Sequence, residues 1–246
     1  MSPVLIVILL SVALGVVRVW TYRRRGRSII SALGLSFDRM ELANVAAGAA
    51  IGFFGIAATF VVAYLTKNIA VAGVGSAAPL TSDLASFLMV PFLEELIFRS
   101  ALLGGLLILL PTRKWLAVAA SAAIFGGLHL LNANATLLSG VGSTLGGITY
   151  GIAFVATEAL WLPFGLHFAW NYAQGPVFGF ALSGGKPVRG TFVQQENVGP
   201  AWFTGGEYGP EGGAVGFVGR ALVLALVLAW IAYRRGRFIS LPAREA

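Results

Sequence analysis

Long apolar stretches alternate along the chain with short polar interruptions, at a spacing that suits membrane-crossing helices. A helix needs about 20 mostly apolar residues to span a bilayer, with roughly 17 to 25 as the working range. Stretches of that kind cover about 3–20, 43–66, 81–110, 115–131, 141–158, 162–182 and 215–233, about seven helices. Two segments break the pattern. "TYRRRGRSIISALGLSFDRMEL" reads as a connector with a short amphipathic piece at the membrane surface. The segment from Ser183 to Gly213, "SGGKPVRGTFVQQENVGPAWFTGGEYGPEGG", is rich in Gly and Pro without sustained periodicity and reads as a loop. With no repeat, low-complexity tract or second domain, the expected fold is all-α: a polytopic transmembrane helix bundle of about seven spans, built as a single membrane domain over residues 1–246.

Composition justifies treating the solvent as lipid. The chain is 57% hydrophobic and 11% charged with mean hydropathy +0.83, whereas a soluble domain carries roughly 25% charged residues. The net charge of +7 does not imply a nucleic-acid partner, because the basic residues sit in short runs beside apolar stretches, as in cytoplasmic loops. Arg23, Arg24, Arg25, Arg27, Arg39, Arg113, Lys114, Arg234, Arg235 and Arg237 fall on one side of the alternation. Lys67, Lys186 and Arg189 fall on the other, with Arg220 counted among them. The positive-inside rule then puts the N-terminus outside and the C-terminus in the cytoplasm. The expected location is integral and multi-pass in a bacterial plasma membrane. Basic residues follow the first apolar core instead of preceding it, so that segment reads as a retained anchor and not a cleaved signal. The absence of cysteine removes thiolate nucleophiles and Cys-based metal sites.

Three charges interrupt the third apolar stretch in "MVPFLEELIFRS": Glu94, Glu95 and Arg99. Each costs on the order of 2.5–3.5 kcal/mol at mid-span unless paired or neutralised. Glu95 and Arg99 are an i,i+4 pair on one helix face, while Glu94 is rotated away from the arginine. A structural Glu–Arg staple therefore accounts for Glu95 and leaves Glu94 without a partner. Pro91 is placed to kink the helix and free backbone groups beside the acids. Both histidines also fall in apolar stretches: His129 has Phe125 one turn earlier, and His167 has Asn171 one turn later. A lone intramembrane histidine is commonly a packing residue. Two of them, with a free carboxylate and an amide, supply the parts needed to activate water and stabilise an oxyanion. Glu158 reads as a boundary residue, and Asp83 as an acid at the positive end of the third helix.

The inventory excludes some membrane hydrolases. The only aspartates, Asp38 and Asp83, lie outside mid-span, which rules out a two-aspartate centre, and no His-Glu-x-x-His helix is present. A serine protease would need a nucleophilic Ser beside a His; Ser139 and Ser143 are candidates in principle, though such serines are common in membrane helices. What remains, Glu94-Glu95-x-x-x-Arg99, then Phe125-x-x-x-His129, then His167-x-x-x-Asn171, resembles the CPBP intramembrane proteases, the CAAX protease and bacteriocin-processing (Abi, Rce1-like) family, over about residues 80–215. The resemblance implies a CAAX-type endopeptidase acting on a peptide or membrane-tethered protein substrate at the bilayer. It further implies that Glu94 deprotonates the attacking water and Glu95 with Arg99 fixes its helix. His129 would orient the water or bind a metal, and His167 and Asn171 would stabilise the oxyanion. A Zn2+ held by His129, His167 and Glu94 or Glu95 and a metal-free glutamate mechanism both fit this implication. A non-catalytic immunity or partner protein and a proton-coupled transporter are the rival readings. Straight, full-length helices would separate the histidines by more than about 10 Å in depth. The turn "EALWLPF" is therefore expected to dip inward, so that His167 joins the site.

Overall fold

The computed structural model describes residues 1–185 and 191–239, so Lys186 and Arg189 lie outside the described residues. Local capping sets several helix starts. Ser2 accepts from Leu5 N ahead of α1 (Pro3–Arg24), where Pro3 has no intrahelical donor to lose. After the short α2 (Ile29–Ala32), Asp38 caps Met40 and Glu41 to open α3 (Arg39–Leu65). Then come strand β1 (Ile69–Val74), α4 (Pro79–Ser82) and a broken rod made of α5 (Leu84–Glu95), a π-helical segment (Leu96–Leu103) and α6 (Gly104–Leu109). Helix α7 (Lys114–His129) leads to α8 (Leu137–Thr157), which a reciprocal Thr136–Ser139 capping box opens. Helix α9 (Trp161–Tyr172) passes into a second π turn (Ala173–Val177). Strand β2 (Val193–Asn197), α10 (Ala201–Thr204) and α11 (Ala214–Ile239) complete the described chain.

Helix occupies each of the seven apolar stretches. Four helices, α1, α3, α8 and α11, are individually long and apolar enough to cross a membrane. The all-α expectation needs one correction: β1 and β2 form an antiparallel pair, Ile69 opposite Asn197 and Val74 opposite Val193, with a bulge between Val71 and Gly73. This pairing joins segments more than 100 residues apart, so no local turn signal announces it. A second correction concerns Arg220, which is not an outer-loop charge but a buried residue inside α11. Glu158 does terminate α8, in a left-handed conformation (φ 54°), and Asp83 precedes α5 without making a capping bond.

Helix α9 is held at the centre by α3, α8 and α11 around Ile56, Leu162, Leu166, Trp170, Val223 and Val227. Glycines let α3 and α9 meet backbone to backbone: a methyl at Gly48 would stand 2.5 Å from the Leu162 carbonyl oxygen, and one at Gly165 2.5 Å from that of Val45. The turn between α8 and α9 is buried, with Ala159 and Leu160 under the connector between α2 and α3. Leu160 N donates to Gly34 O (2.9 Å) and Trp161 Nε1 to Ser36 O (2.7 Å).

The close α3–α9 approach makes a specific demand. Gly48→Ala is expected to destabilise by about 1–3 kcal/mol through overpacking. Gly127→Ala, with nothing within 4 Å of the new methyl, is expected to leave stability unchanged or raise it. Thermal unfolding of the detergent-solubilised protein measures both.

Candidate active site

The site begins with a helix that cannot stay regular. Pro91 lacks an N–H for the carbonyl one turn before it, and four residues later α5 gives way to the π segment. Neighbouring elements pin that segment through its carbonyls. Ser121 Oγ, from α7, donates to Phe98 O (3.0 Å), and Arg18 Nη1, from α1, donates to Ser100 O (3.2 Å). Ser100 Oγ in turn donates to Leu33 O (2.8 Å) in the connector. The two acids and Arg99 are therefore presented from a fixed backbone.

Glu95 and Arg99 are fully buried, at 0% and 1% exposure. Arg99 Nε lies 3.2 Å from Glu95 Oε2, and Nη2 donates to Gly147 O at 3.3 Å. The guanidinium also lies over the rings of Phe125 (4.5 Å) and Tyr150 (5.2 Å). The other carboxylate oxygen, Glu95 Oε1, is 2.8 Å from His167 Nδ1. Glu95 thus bridges a guanidinium on its own rod and an imidazole on α9. Tyr150 of α8 stacks on that imidazole, with ring centres 4.9 Å apart and planes 20° apart. Its hydroxyl accepts from Arg220 Nη1 (3.1 Å).

Glu94 has the different surroundings that its place on the helix implied. It is 30% exposed, and its Oε2 is 3.6 Å from His167 Nε2, so the two acids flank the two nitrogens of one ring. His129 Nδ1 is 2.8 Å from Phe125 O. A carbonyl only accepts, so Nδ1 carries a proton, and in the neutral ring Nε2 is then the nitrogen with the lone pair. Phe125 separates the imidazoles, 4.3 Å from His129 and edge-on to His167 at 6.1 Å.

Glu94, His129, His167 and Asn171 line one cavity of about 440 Å³, completed by Asn132, Ala133 and Leu182–Gly185. Four of the six residues singled out from the sequence are thus brought to one space, and His167 joins Glu94 there. Glu95 and Arg99 lie behind His167 and do not line the cavity. Glu94 and His167 alone do not make a three-ligand metal site. Among the described residues, no group of three His, Cys, Asp or Glu side chains is arranged to hold an ion.

Several supporting residues had been missed. Arg220 interrupts an apolar stretch, and the cost argument applied to Glu94 would have marked it. Tyr150 gave no signal beyond being an aromatic in a helix. Glu211 lay in a segment read as loop, yet it is buried and accepts from Ser183 N (3.1 Å), from Ser183 Oγ (2.6 Å) and from Gln174. It thereby fixes the 182–185 wall of the cavity. Nearby, Tyr208 Oη is 3.4 Å from Ser143 Oγ, and burial pushes the phenol's pKa up.

Fold and site together define a helical membrane protein with a carboxylate–imidazole cluster at the wall of an open cavity. Residues 76–173 match the family model for type II CAAX prenyl endopeptidases, Rce1-like, so the likeness carried by the three motifs holds over this segment. All seven motif residues fall inside the match, which ends well before residue 215. No curated protein and no solved structure matches the chain.

The unequal environments of the two acids predict unequal costs of removal. Glu95→Ala leaves Arg99 buried without its carboxylate and is expected to cost about 3–5 kcal/mol. Glu94→Ala, at a partly exposed position, is expected to change stability by no more than about 1 kcal/mol. Chemical unfolding in detergent distinguishes the two.

Proposed function

We propose that the protein is an intramembrane endopeptidase of the CAAX-protease type that hydrolyses a peptide bond with water activated by Glu94. The observation that carries this reading is the split between the acids: Glu95 is consumed by Arg99 and His167, while Glu94 faces a cavity that His129, His167 and Asn171 also line.

The chemistry follows from the donors and acceptors. Glu94 takes a proton from water as the oxygen attacks the substrate carbonyl, and the lone pair on His129 Nε2 orients that water. The carbonyl oxygen becomes an oxyanion that accepts from His167 Nε2–H and the Asn171 amide. His167 Nδ1 stays on Glu95 Oε1, so the ring does not turn as charge develops. Glu94 then passes its proton to the departing amine as the C–N bond breaks. Arg99, and Tyr150 behind the ring, act by positioning. No step uses a metal.

The finer topology belongs to the same proposal. Seven spans with the N-terminus outside and the C-terminus in the cytoplasm put the arginine-rich ends of α1, α3, α7 and α11 on the inner side. The cavity lies at the His129 end of α7, opposite Lys114, and therefore opens toward the outer face. The substrate bond is then presented from outside a bacterial plasma membrane, on a peptide or membrane-tethered protein.

Cleavage of a membrane-tethered peptide by the purified chain tests the reading. Glu94→Ala and His129→Ala are each expected to lower kcat/KM by about 100-fold or more, and wild-type activity is expected to survive a chelator. Equal cleavage by all three proteins would remove the enzyme, and loss of activity in chelator, restored by Zn2+, would replace the metal-free mechanism with a metal-assisted one.

A further inference from the structure

A second, larger cavity of about 710 Å³ lies beside the first and shares Ala133, Gly184 and Gly185 with it. It is bordered by the loop after α7, the 179–185 segment, β2 and α10. Nothing in the proposed hydrolysis uses it. We propose that it is a substrate annex that binds an extended, unlipidated stretch of polypeptide flanking the scissile bond and prefers a stretch carrying a basic residue. The proposal rests on the hydrolase reading for its purpose, though not for its test.

Three observations carry it. First, continuity: a chain in the smaller cavity passes to the larger one across a shared rim of two glycines and an alanine, and residues without bulk let a backbone come close. Second, lining: the walls are glycine, alanine, threonine and side-chain amides such as Asn134, Gln195 and Asn197. No leucine, isoleucine, valine, methionine or aromatic side chain contributes, so a lipid tail finds no large apolar side chain to pack against. A peptide backbone, with its regular donors and acceptors, suits such walls better. Third, charge: Glu207, exposed, is the one ionisable residue lining the cavity among the described residues, and it favours a cation in the occupant. The β1–β2 pair gives the annex a fixed wall, since Gln195 Nε2 ties β2 to Gly179 O (3.0 Å) and Asn197 Nδ2 ties it to Gly206 O (3.0 Å).

Binding read without turnover tests the annex. The full chain carrying Glu94→Gln, in detergent, is titrated into fluorescent unlipidated peptides of about ten residues, roughly 33–36 Å when extended. One pool carries a fixed lysine, another a fixed glutamate. The lysine pool is expected to bind about tenfold more tightly. Glu207→Lys is expected to reverse that order, and Ala201→Trp, which fills the cavity from an exposed position, to weaken both pools about tenfold without lowering the unfolding temperature. A short farnesylated peptide with no extended flank is expected to ignore both substitutions. Peptide anisotropy unchanged by Ala201→Trp and Glu207→Lys would overturn the annex, even in a chain that cleaves. A binding response to both substitutions in a chain that cleaves nothing would uphold the annex and sink the hydrolase reading instead.

Discussion

The structure depends on one buried carboxylate that serves two partners, a guanidinium and an imidazole. Glu95 holds Arg99 with one oxygen and His167 with the other, at 3.2 and 2.8 Å, with neither acid nor guanidinium reached by solvent. Such an arrangement is poor evidence of net stability, because desolvating the charges offsets most of their attraction. What it supplies is register. It fixes the rotation of the third rod relative to α9, and with it the direction in which the neighbouring residue, Glu94, must point. Adjacent residues on a helix are turned about 100° apart, so anchoring Glu95 inward delivers Glu94 to the cavity.

The same economy governs the other buried cations. Arg18 lies over the ring of Phe154 (4.9 Å) and reaches a π-segment carbonyl. Arg220 lies over Trp170 (4.1 Å) and donates to Tyr150, the residue stacked on His167. Each guanidinium meets aromatic faces and an oxygen acceptor without taking a carboxylate from the site, although its buried Nε makes no hydrogen bond. Glycine contacts between α3 and α9 give the imidazole-bearing helix a backbone neighbour with little room to shift. Such supports on three sides suit the proposed hydrolysis, which needs the His167 ring to hold its orientation while charge develops.

Much of this was legible in the sequence, for identifiable reasons. Apolar length locates the helices, and helix periodicity alone separates Glu95 from Glu94. The i,i+4 spacings paired Phe125 with His129 and His167 with Asn171. The meeting of His167 with Glu94 was not legible from spacing alone, since straight helices would have kept the histidines apart. It arises because the 158–160 turn is buried under the connector and α9 is short, packed within α3, α8 and α11. The β1–β2 pair, the seating of Glu211 and the stacking of Tyr150 all depend on contacts distant in sequence, which leave no local period. Arg220 was legible and was misplaced, because position near a predicted helix end was weighed above the cost of a charge in an apolar run.

With only two histidines in the chain, ¹⁵N spectra of histidine-labelled protein report on the central contact directly. If Glu95 holds the ring, His167 Nδ1 appears as a protonated, strongly hydrogen-bonded nitrogen, and Glu95→Gln shifts that signal while the His129 Nδ1 signal stays where it was. A His167 ring with an unprotonated Nδ1, or one whose signals do not respond to Glu95→Gln, would contradict the account.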